Sequence, residues 1–288
     1  MTLLGAILFS TKAILVKKAF AQTSVDALTL LTLRMLFSLP FYVGAALFAS
    51  SRSTNIKMTG RQWMLTALIG IFGYYLSSLF DFIGLQYISA GLERLILFLY
   101  PTFAVLINLW IFRQRIEKNQ KWALGFTYAG ILIAFIGEMG FTEGTSGFYF
   151  GSFMVFLCAV TYSIYLVGSA RILPQLGTTK FTSYAMLAAT AGIFLHFALK
   201  GNFQVLEHRE LWGFGSLLAI LATVLPSFFL SYGLKTIGSN NVSILLSIGP
   251  VSTILQAHYF LGEPVFPAQV IGTLLVVAGV LLLGWKAK

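Results

Sequence analysis

Long apolar segments separated by short polar connections run along the whole chain. They predict ten helices, at residues 2–21, 26–49, 63–85, 92–113, 120–140, 147–170, 180–200, 211–234, 240–262 and 266–285. A helix of about 20 residues rises about 30 Å, which is the thickness of the hydrocarbon core of a bilayer. No polar stretch is long enough to form a separate soluble domain. The pattern predicts an all-α integral membrane protein with ten transmembrane helices.

The composition agrees with this interpretation and removes several classes of function. Hydrophobic residues make up 58% of the 288 residues and charged residues 10%, whereas soluble domains are nearer half apolar and a quarter charged. The net charge of +10 is scattered over short connections, so we expect no nucleic-acid partner. With Cys158 as the single cysteine, no internal disulfide or cysteine-based zinc site can form. We expect neither a cofactor nor a metal.

The distribution of lysine and arginine predicts the orientation. The first apolar segment has no basic leader or cleavage site, so it is interpreted as a helix and not as a removed signal peptide. With a cytoplasmic N-terminus, twelve Lys and Arg residues fall in inside segments and four in outside segments. Because short inside loops are enriched in these residues, the bias predicts a multi-pass protein of the plasma or inner membrane with both termini cytoplasmic.

The two halves of the chain resemble each other at a spacing of 149 residues. "GLQYISAGLERLILFLYP" at 84–101 is followed by "GLKTIGSNNVSILLSIGP" at 233–250, so that Gly84 corresponds to Gly233 and Pro101 to Pro250. Five helices per half is an odd number, so the second half enters the membrane from the opposite side. The prediction is an inverted repeat, the plan of many secondary transporters, whose site lies between the halves near the midplane.

These motifs resemble the EamA-type members of the drug/metabolite transporter superfamily. The resemblance covers nearly the whole chain as two EamA-like units, at 2–137 and 147–284. Arg34 in "LTLRMLFSLP" and Glu263 in "FLGE" match residues of the family pattern, whereas Gln114 occupies the first-half position of that glutamate. Glu263 is expected to be a solvated helix end or a structural residue. The resemblance implies a secondary transporter of small organic metabolites, such as amino acids or related carboxylate-bearing solutes, that exports them by alternating access.

Among the ionisable residues of the predicted helices, five stand out: Lys12, Arg34, Asp81, Glu93 and Arg94. Such groups are costly in a bilayer and usually face a cavity or a partner. Lys12 and Arg34 are expected to face a cavity, the alternative being a fixed ion pair. The adjacent Glu93 and Arg94 point about 100° apart on a helix. They are expected to stay hydrated near the outer face, although either could pair with Asp81 or reach the interface by snorkelling.

Helical spacing adds polar residues to the candidate substrate-binding set. With the five charged residues, that set contains Tyr74, Ser78, Tyr100, Asn108, Tyr162, Tyr165, Ser243 and Ser247. Pro101 and Pro250 remove a backbone donor and are expected to kink their helices near mid-membrane.

Two carboxyl groups are candidates for proton coupling. Burial favours the protonated form of an acid and a neighbouring arginine favours the ionised form, so Asp81 and Glu93 are both considered. Asp81 is preferred because its stripe with Ser77, Ser78 and Tyr74 is expected to lie away from Arg94. A channel-like facilitator or scaffold is an alternative. A membrane-embedded enzyme is a weaker alternative, since the sequence has neither an HExxH pair nor a GxSxG elbow.

Thiol labelling tests the orientation. A cysteine introduced at Asn202 should react with a membrane-impermeant thiol reagent applied from outside, and one at Ser53 should not, because the charge bias places these loops on opposite sides. Reversed labelling would contradict the orientation.

Overall fold

The structure is a computed structural model, and it describes residues 2–51, 57–113, 118–139, 147–202, 209–227, 229 and 248–284. Within these ranges there are eleven helices and no strand. They are α1 (Thr2–Gln22), α2 (Ala27–Ser51), α3 (Gly60–Gly84), α4 (Ala90–Leu97), α5 (Tyr100–Phe112), α6 (Lys118–Met139), α7 (Phe148–Leu176), α8 (Thr178–Lys200), α9 (Arg209–Ser227), α10 (Gly249–Leu261) and α11 (Pro267–Gly284). The prediction of an all-α protein is confirmed.

Seven segments of the described chain are long and apolar enough to cross a bilayer: α2, α3, the stretch Ala90–Ile111, most of α6, α7, α8 and α9. The helix α1 is also long, but it carries Lys12, Lys17 and Lys18. The helix α10 has 13 residues, and the apolar part of α11 is a shorter segment, Pro267–Leu282. The chain is a multi-pass membrane protein.

The predicted helix 92–113 is two helices, because the chain breaks between Leu97 and Tyr100. Phe98 ends α4 and Leu99 precedes the first turn of α5, where Pro101 has no N–H to donate. The prediction of a single helix was therefore wrong; the break lies just before Pro101, whose expected kink near mid-membrane stays a prediction. Pro250 likewise lies in the first turn of α10, and residues 240–247 of the predicted ninth helix lie outside the described residues.

Helix boundaries recur at the spacing found in the sequence. The helix α3 begins at Gly60 and contains a π-helical segment, Ile71–Leu76, and α9 begins at Arg209 and contains a π-helical segment, Ile220–Val224. The helices α5 and α10 both have 13 residues. Each ends at a residue with left-handed backbone, at Arg113 with φ 52° and at Gly262 with φ 69°. The start of each element and the two end residues are 149 positions apart.

Two packing arrangements position the centre of the bundle. Leu30, Leu31 and Leu33 of α2 and Phe82 of α3 belong to a buried cluster that also includes side chains of α1, α8 and α9. The helices α6 and α11 form a separate close pair. At their contact a Cβ built on Gly130 would lie 2.5 Å from the carbonyl oxygen of Gly272, so only glycine lets the two backbones approach this closely.

Substitution of Gly130 should therefore destabilise the protein. Gly130→Ala forces α6 and α11 apart, and overpacking of this kind costs about 1–3 kcal/mol. Gly125→Ala is the matched control, because it is on the same helix and its added methyl group meets nothing within 4 Å. Thermal unfolding in detergent should show a lower midpoint for Gly130→Ala only. Equal midpoints for the two variants would contradict the close contact.

Candidate functional site

Three charged side chains from three helices meet in the interior. The Lys12 ammonium of α1 lies 2.6 Å from Oδ2 of Asp81 on α3 and 3.5 Å from Oε1 of Glu93 on α4. The side chains of Asp81 and Glu93 are 1% and 0% exposed, and that of Lys12 is 10% exposed. We call these residues the central triad. Two acids and one base are buried together, so the triad as fully ionised groups has a charge of −1.

The carboxyl groups of the triad lack other donors. Apart from Lys12, no donor group among the described residues hydrogen bonds to the four carboxyl oxygens. Both carboxyl groups contact the Lys12 ammonium, so they lie close to each other. A buried, uncompensated carboxylate is strongly disfavoured, and a shared proton removes the excess charge.

Arg34 of α2 is buried and binds hydroxyl groups. Its Nε donates to Oγ1 of Thr223 on α9 over 2.8 Å, and its Nη1 donates to Oγ of Ser78 on α3 over 3.3 Å. The guanidinium carbon lies 5.6 Å from the centre of the Phe82 ring. These contacts join α2 and α3 of the first half to α9 of the second. The direct hydrogen-bond partners of Arg34 in the described part of the chain are thus neutral hydroxyl groups.

Arg94 takes a different direction from Glu93. Its guanidinium lies between the rings of Phe9 and Phe98, 5.7 and 5.4 Å from their centres, and beside the backbone of Gly249. Its buried Nε has no hydrogen-bond acceptor in the described part of the chain. Aromatic faces attract the cation, but they do not replace the hydrogen bonds that it loses with water.

Four tyrosines form a row of rings near these charges. The hydroxyl groups of Tyr74 and Tyr165 are 2.6 Å apart. Tyr162 stacks on Tyr165 at 5.7 Å between ring centres and meets Tyr100 edge-on at 5.3 Å. The row joins α3, α5 and α7, and it offers aromatic faces and hydroxyl groups to a small organic molecule.

A cavity of about 430 Å³ lies farther along α5 and α7. Asn108 of α5 and Arg171 of α7 supply its polar lining. The rest of the lining is apolar and consists of Ala104 and three residues of α7. Asn108, which the sequence places in the candidate set, therefore faces this cavity and not the central triad.

A second polar cluster lies at the end of the bundle where α1 ends and α4 begins, which we call the Ser89 end. Lys17 Nζ donates to the Ile88 carbonyl oxygen over 2.7 Å and lies 3.4 Å from Oε1 of Glu263. The Ala90 N–H donates to Glu263, with 3.1 Å to Oε2. The Ser89 N–H and hydroxyl donate to Oε1 and Oε2 of Glu138, over 3.2 and 2.7 Å. Two carboxylates thus cap the N-terminus of α4.

The sequence analysis placed some of these residues and missed others. Of the two interpretations of Glu263, the structural one is supported. Glu138, Lys17 and Cys158 were not identified as site residues. Glu138 is the only acid in the apolar part of α6, which is a signal of the same kind that singled out Asp81.

Two expectations about charged residues were wrong. Glu93 and Arg94 are 0% and 5% exposed, so they are not hydrated near a surface. Lys12 forms an ion pair and does not face an open cavity as a free cation. Ser78 on the stripe of Asp81 binds Arg34, a contact that helical spacing did not predict, whereas the predicted separation of this stripe from Arg94 stays a prediction. Helical periodicity identifies a face but not the residues of other helices that the face meets. Ser243 and Ser247 lie outside the described residues.

The sequence model of the EamA-like transporter family matches this chain twice, at residues 1–136 and at residues 149–285. The two matches together cover almost the whole chain.

Curated relatives of the chain are transporters by name. The uncharacterized transporter YcbK of Bacillus subtilis is 28% identical over 275 residues, which cover 94% of this chain and 87% of that protein. An uncharacterized transporter of Archaeoglobus fulgidus is 25% identical over 84% of this chain and 85% of its own length. The biotin transporter of Escherichia coli K12 is 22% identical over 80% of this chain and 76% of its own.

A solved crystal structure has the same fold. It superposes with a TM-score of 0.70 over 100% of this chain and 96% of its own, at 21% sequence identity. At that identity the likeness concerns the fold alone.

Removal of the triad's cation should destabilise the protein in a pH-dependent way. Lys12→Met leaves two buried acids without a cation, and breaking a buried pair costs about 3–5 kcal/mol. The loss should shrink at acid pH, because protonated carboxyl groups need no counter-ion. Lys18→Met, on the same helix but outside the triad, is the control. Unfolding midpoints measured from pH 5 to pH 8 provide the test, and a pH-independent loss would contradict the proposed charge balance.

Proposed function

Because the chain belongs to the EamA-like transporter family, we propose that it is a secondary transporter that moves small organic metabolites by alternating access. The observation that carries the proposal is the central triad and the nearby Arg34, buried charges that join helices of both halves within an apolar bundle. The family and the curated relatives are transporters and not enzymes. Buried charge in a membrane protein usually marks a substrate or ion path.

The proposed architecture has ten helices in two inverted repeats, at 2–137 and 147–284. The recurrence of the helix boundaries of α3, α5, α9 and α10 at a spacing of 149 residues supports it, as does the double match to the family. The structure should superpose residues 2–137 on 147–284 by a twofold axis in the membrane plane. A superposition with both halves in the same orientation would refute this arrangement.

In the proposed orientation both termini are cytoplasmic and the Ser89 end faces outward. The bias of Lys and Arg toward the opposite side supports it. The membrane of residence is then the plasma or inner membrane.

The proposed substrates are carboxylate-bearing metabolites, amino acids among them, and the proposed direction is export. Arg34 hydrogen bonds to hydroxyl groups and Arg94 contacts aromatic rings, and within the described residues neither forms an ion pair with an acid of the triad. Tyr74, Tyr100, Tyr162 and Tyr165 would contact the organic part of the solute. The E. coli relative named as a biotin transporter is in agreement, because biotin carries a carboxylate.

The proposed coupling ion is a proton held by Asp81 and Glu93 together. Asp81 has the shorter contact with Lys12, so Glu93 is the less well compensated acid. Arg94 beside Glu93, Arg34 of α2 and Cys158 of α7 are the other titratable neighbours. Strongly interacting acids bind and release protons as a pair, so the proton belongs to both residues.

Transport by purified protein in liposomes tests the function. A carrier gives saturable flux and counterflow of labelled solute, whereas a channel-like facilitator gives flux without counterflow. Arg34→Gln should reduce transport at least tenfold, because it removes one charge-assisted contact of about 1.5–3 kcal/mol. Lys12→Gln should also abolish transport, while Lys18→Gln should not. Normal flux in both Lys12→Gln and Arg34→Gln would exclude these residues as ligands.

An imposed pH gradient tests the coupling. Wild-type protein should accumulate solute against its concentration gradient. Asp81→Asn and Glu93→Gln should each lose accumulation and retain downhill exchange, because one acid paired with Lys12 no longer needs a proton. If only one variant loses accumulation, the proton belongs to that residue alone. Wild-type flux that ignores the gradient would identify a facilitator or exchanger.

A further inference from the structure

We propose that Lys17, Glu138 and Glu263 form a releasable latch that closes the Ser89 end of the bundle over the central triad. The inference rests on alternating access, which requires each end of a transporter to open and close, and it goes beyond it by assigning the residues that hold one end closed. We refer to these three side chains and the backbone of residues 88–90 as the latch.

The latch joins four segments of the chain. Lys17 comes from the last turns of α1, Glu138 from the end of α6 and Glu263 from the connection between α10 and α11. All three converge on the turn between α3 and α4, where they bind Ile88, Ser89 and Ala90. Because Glu263 belongs to the second half and the other two to the first, the latch ties the halves together. The halves cannot separate at this end while these contacts remain.

The chemistry of the latch suits a reversible contact. The first turn of a helix has N–H groups without helical partners, and its dipole attracts anions. The Ser89 hydroxyl caps α4 locally by accepting from the Leu92 N–H, whereas the two carboxylates come from distant elements, so their contacts are lost if those elements move away. Water can replace the hydrogen bonds of Lys17 and Glu263, since their side chains are 25% and 17% exposed. Water cannot replace apolar contacts in this way. Separating two packed apolar surfaces therefore costs more free energy than separating these polar contacts.

The latch lies next to the triad, on the side of the Ser89 end. Lys12 and Lys17 are five residues apart on α1, which corresponds to about 7.5 Å along the helix axis. Glu93 follows Ala90 by three residues, within one turn of α4. A solute or proton that moves between the triad and the Ser89 end therefore passes the latch. Glu138 is only 3% exposed, so the closed latch leaves little room beside it.

The two ends of the molecule are not equivalent in this respect. At the spacing of 149 residues, Glu263 corresponds to Gln114, which has no negative charge. The glutamate of the latch is thus not repeated at the equivalent position of the first half, and the strength of the latch biases the protein toward the conformation closed at the Ser89 end.

Cys158 is a built-in reporter for this opening. It is the single cysteine of the chain, it is buried, and it lies beside the triad. A membrane-impermeant thiol reagent is applied to right-side-out and to inside-out vesicles, and the rate of Cys158 modification is measured from each side. Glu263→Gln and Glu138→Gln should each raise the rate from outside by about three- to tenfold, as expected for one weakened charge-assisted hydrogen bond. Both should lower the rate from inside.

Opposite changes from the two sides separate a latch from a merely structural contact. A variant that loosens the whole fold raises both rates together, and that outcome would overturn the proposal, as would unchanged rates in both variants. Lys17→Gln provides a third variant that leaves both carboxylate caps in place and should act in the same direction. Glu210→Gln, an exposed acid in the first turn of α9, is the matched control, and Cys158→Ala gives the background. The assay needs no substrate, so a failure of transport by the wild type would leave this test intact.

Discussion

The Lys12 ammonium lies within contact distance of two carboxyl groups in the interior of the bundle, and its position constrains three helices at once. Displacing α1, α3 or α4 from the others leaves a buried charge without compensation, which is far more costly than the loss of an apolar contact. The three helices must therefore move as a unit, or exchange the charge contact for another one. An incoming anion or proton supplies such an exchange. The same electrostatic constraint that holds the closed arrangement thus makes it responsive to ligands.

Polar groups in this protein lie in successive layers inside an apolar shell. Glu263 and its partners form the layer at the Ser89 end, and the triad lies next to it. Arg34 with Thr223, and the tyrosine row, lie deeper. Large apolar side chains such as Trp110 and Leu199 are 79% and 72% exposed, as expected for surfaces in contact with lipid. Hydrogen bonds between helices, such as that of Arg34 with Thr223, and close approach of small residues, such as Gly130 with Gly272, both hold the helices together.

Much of the fold could be predicted from the sequence because the bilayer demands apolar helices of a certain length. A disturbance of the helix near Pro101 was also predictable, since a missing N–H is a local property of one residue. The partners of the charged residues could not be predicted. Helical spacing places Glu93 on a face of α4, but the contact with Lys12 depends on how α1 and α4 pack. The role of Glu138 was hidden for a similar reason, because its partners at residue 89 are backbone and side-chain groups of a turn that only the tertiary fold brings near.

The π-helical segment of α3 affects the direction in which the Asp81 side chain of the triad points. Such a segment holds about one residue more per turn than an α-helix. If the segment Ile71–Leu76 relaxed to α-helical geometry, everything beyond it would rotate by about 100° about the helix axis and shift by about 1.5 Å. Asp81 lies beyond it, only five residues past Leu76. A change from π-helical to α-helical winding in this one segment would thus rotate the Asp81 carboxyl group away from Lys12 without tilting α3. This helix can therefore move by screw rotation as well as by tilting.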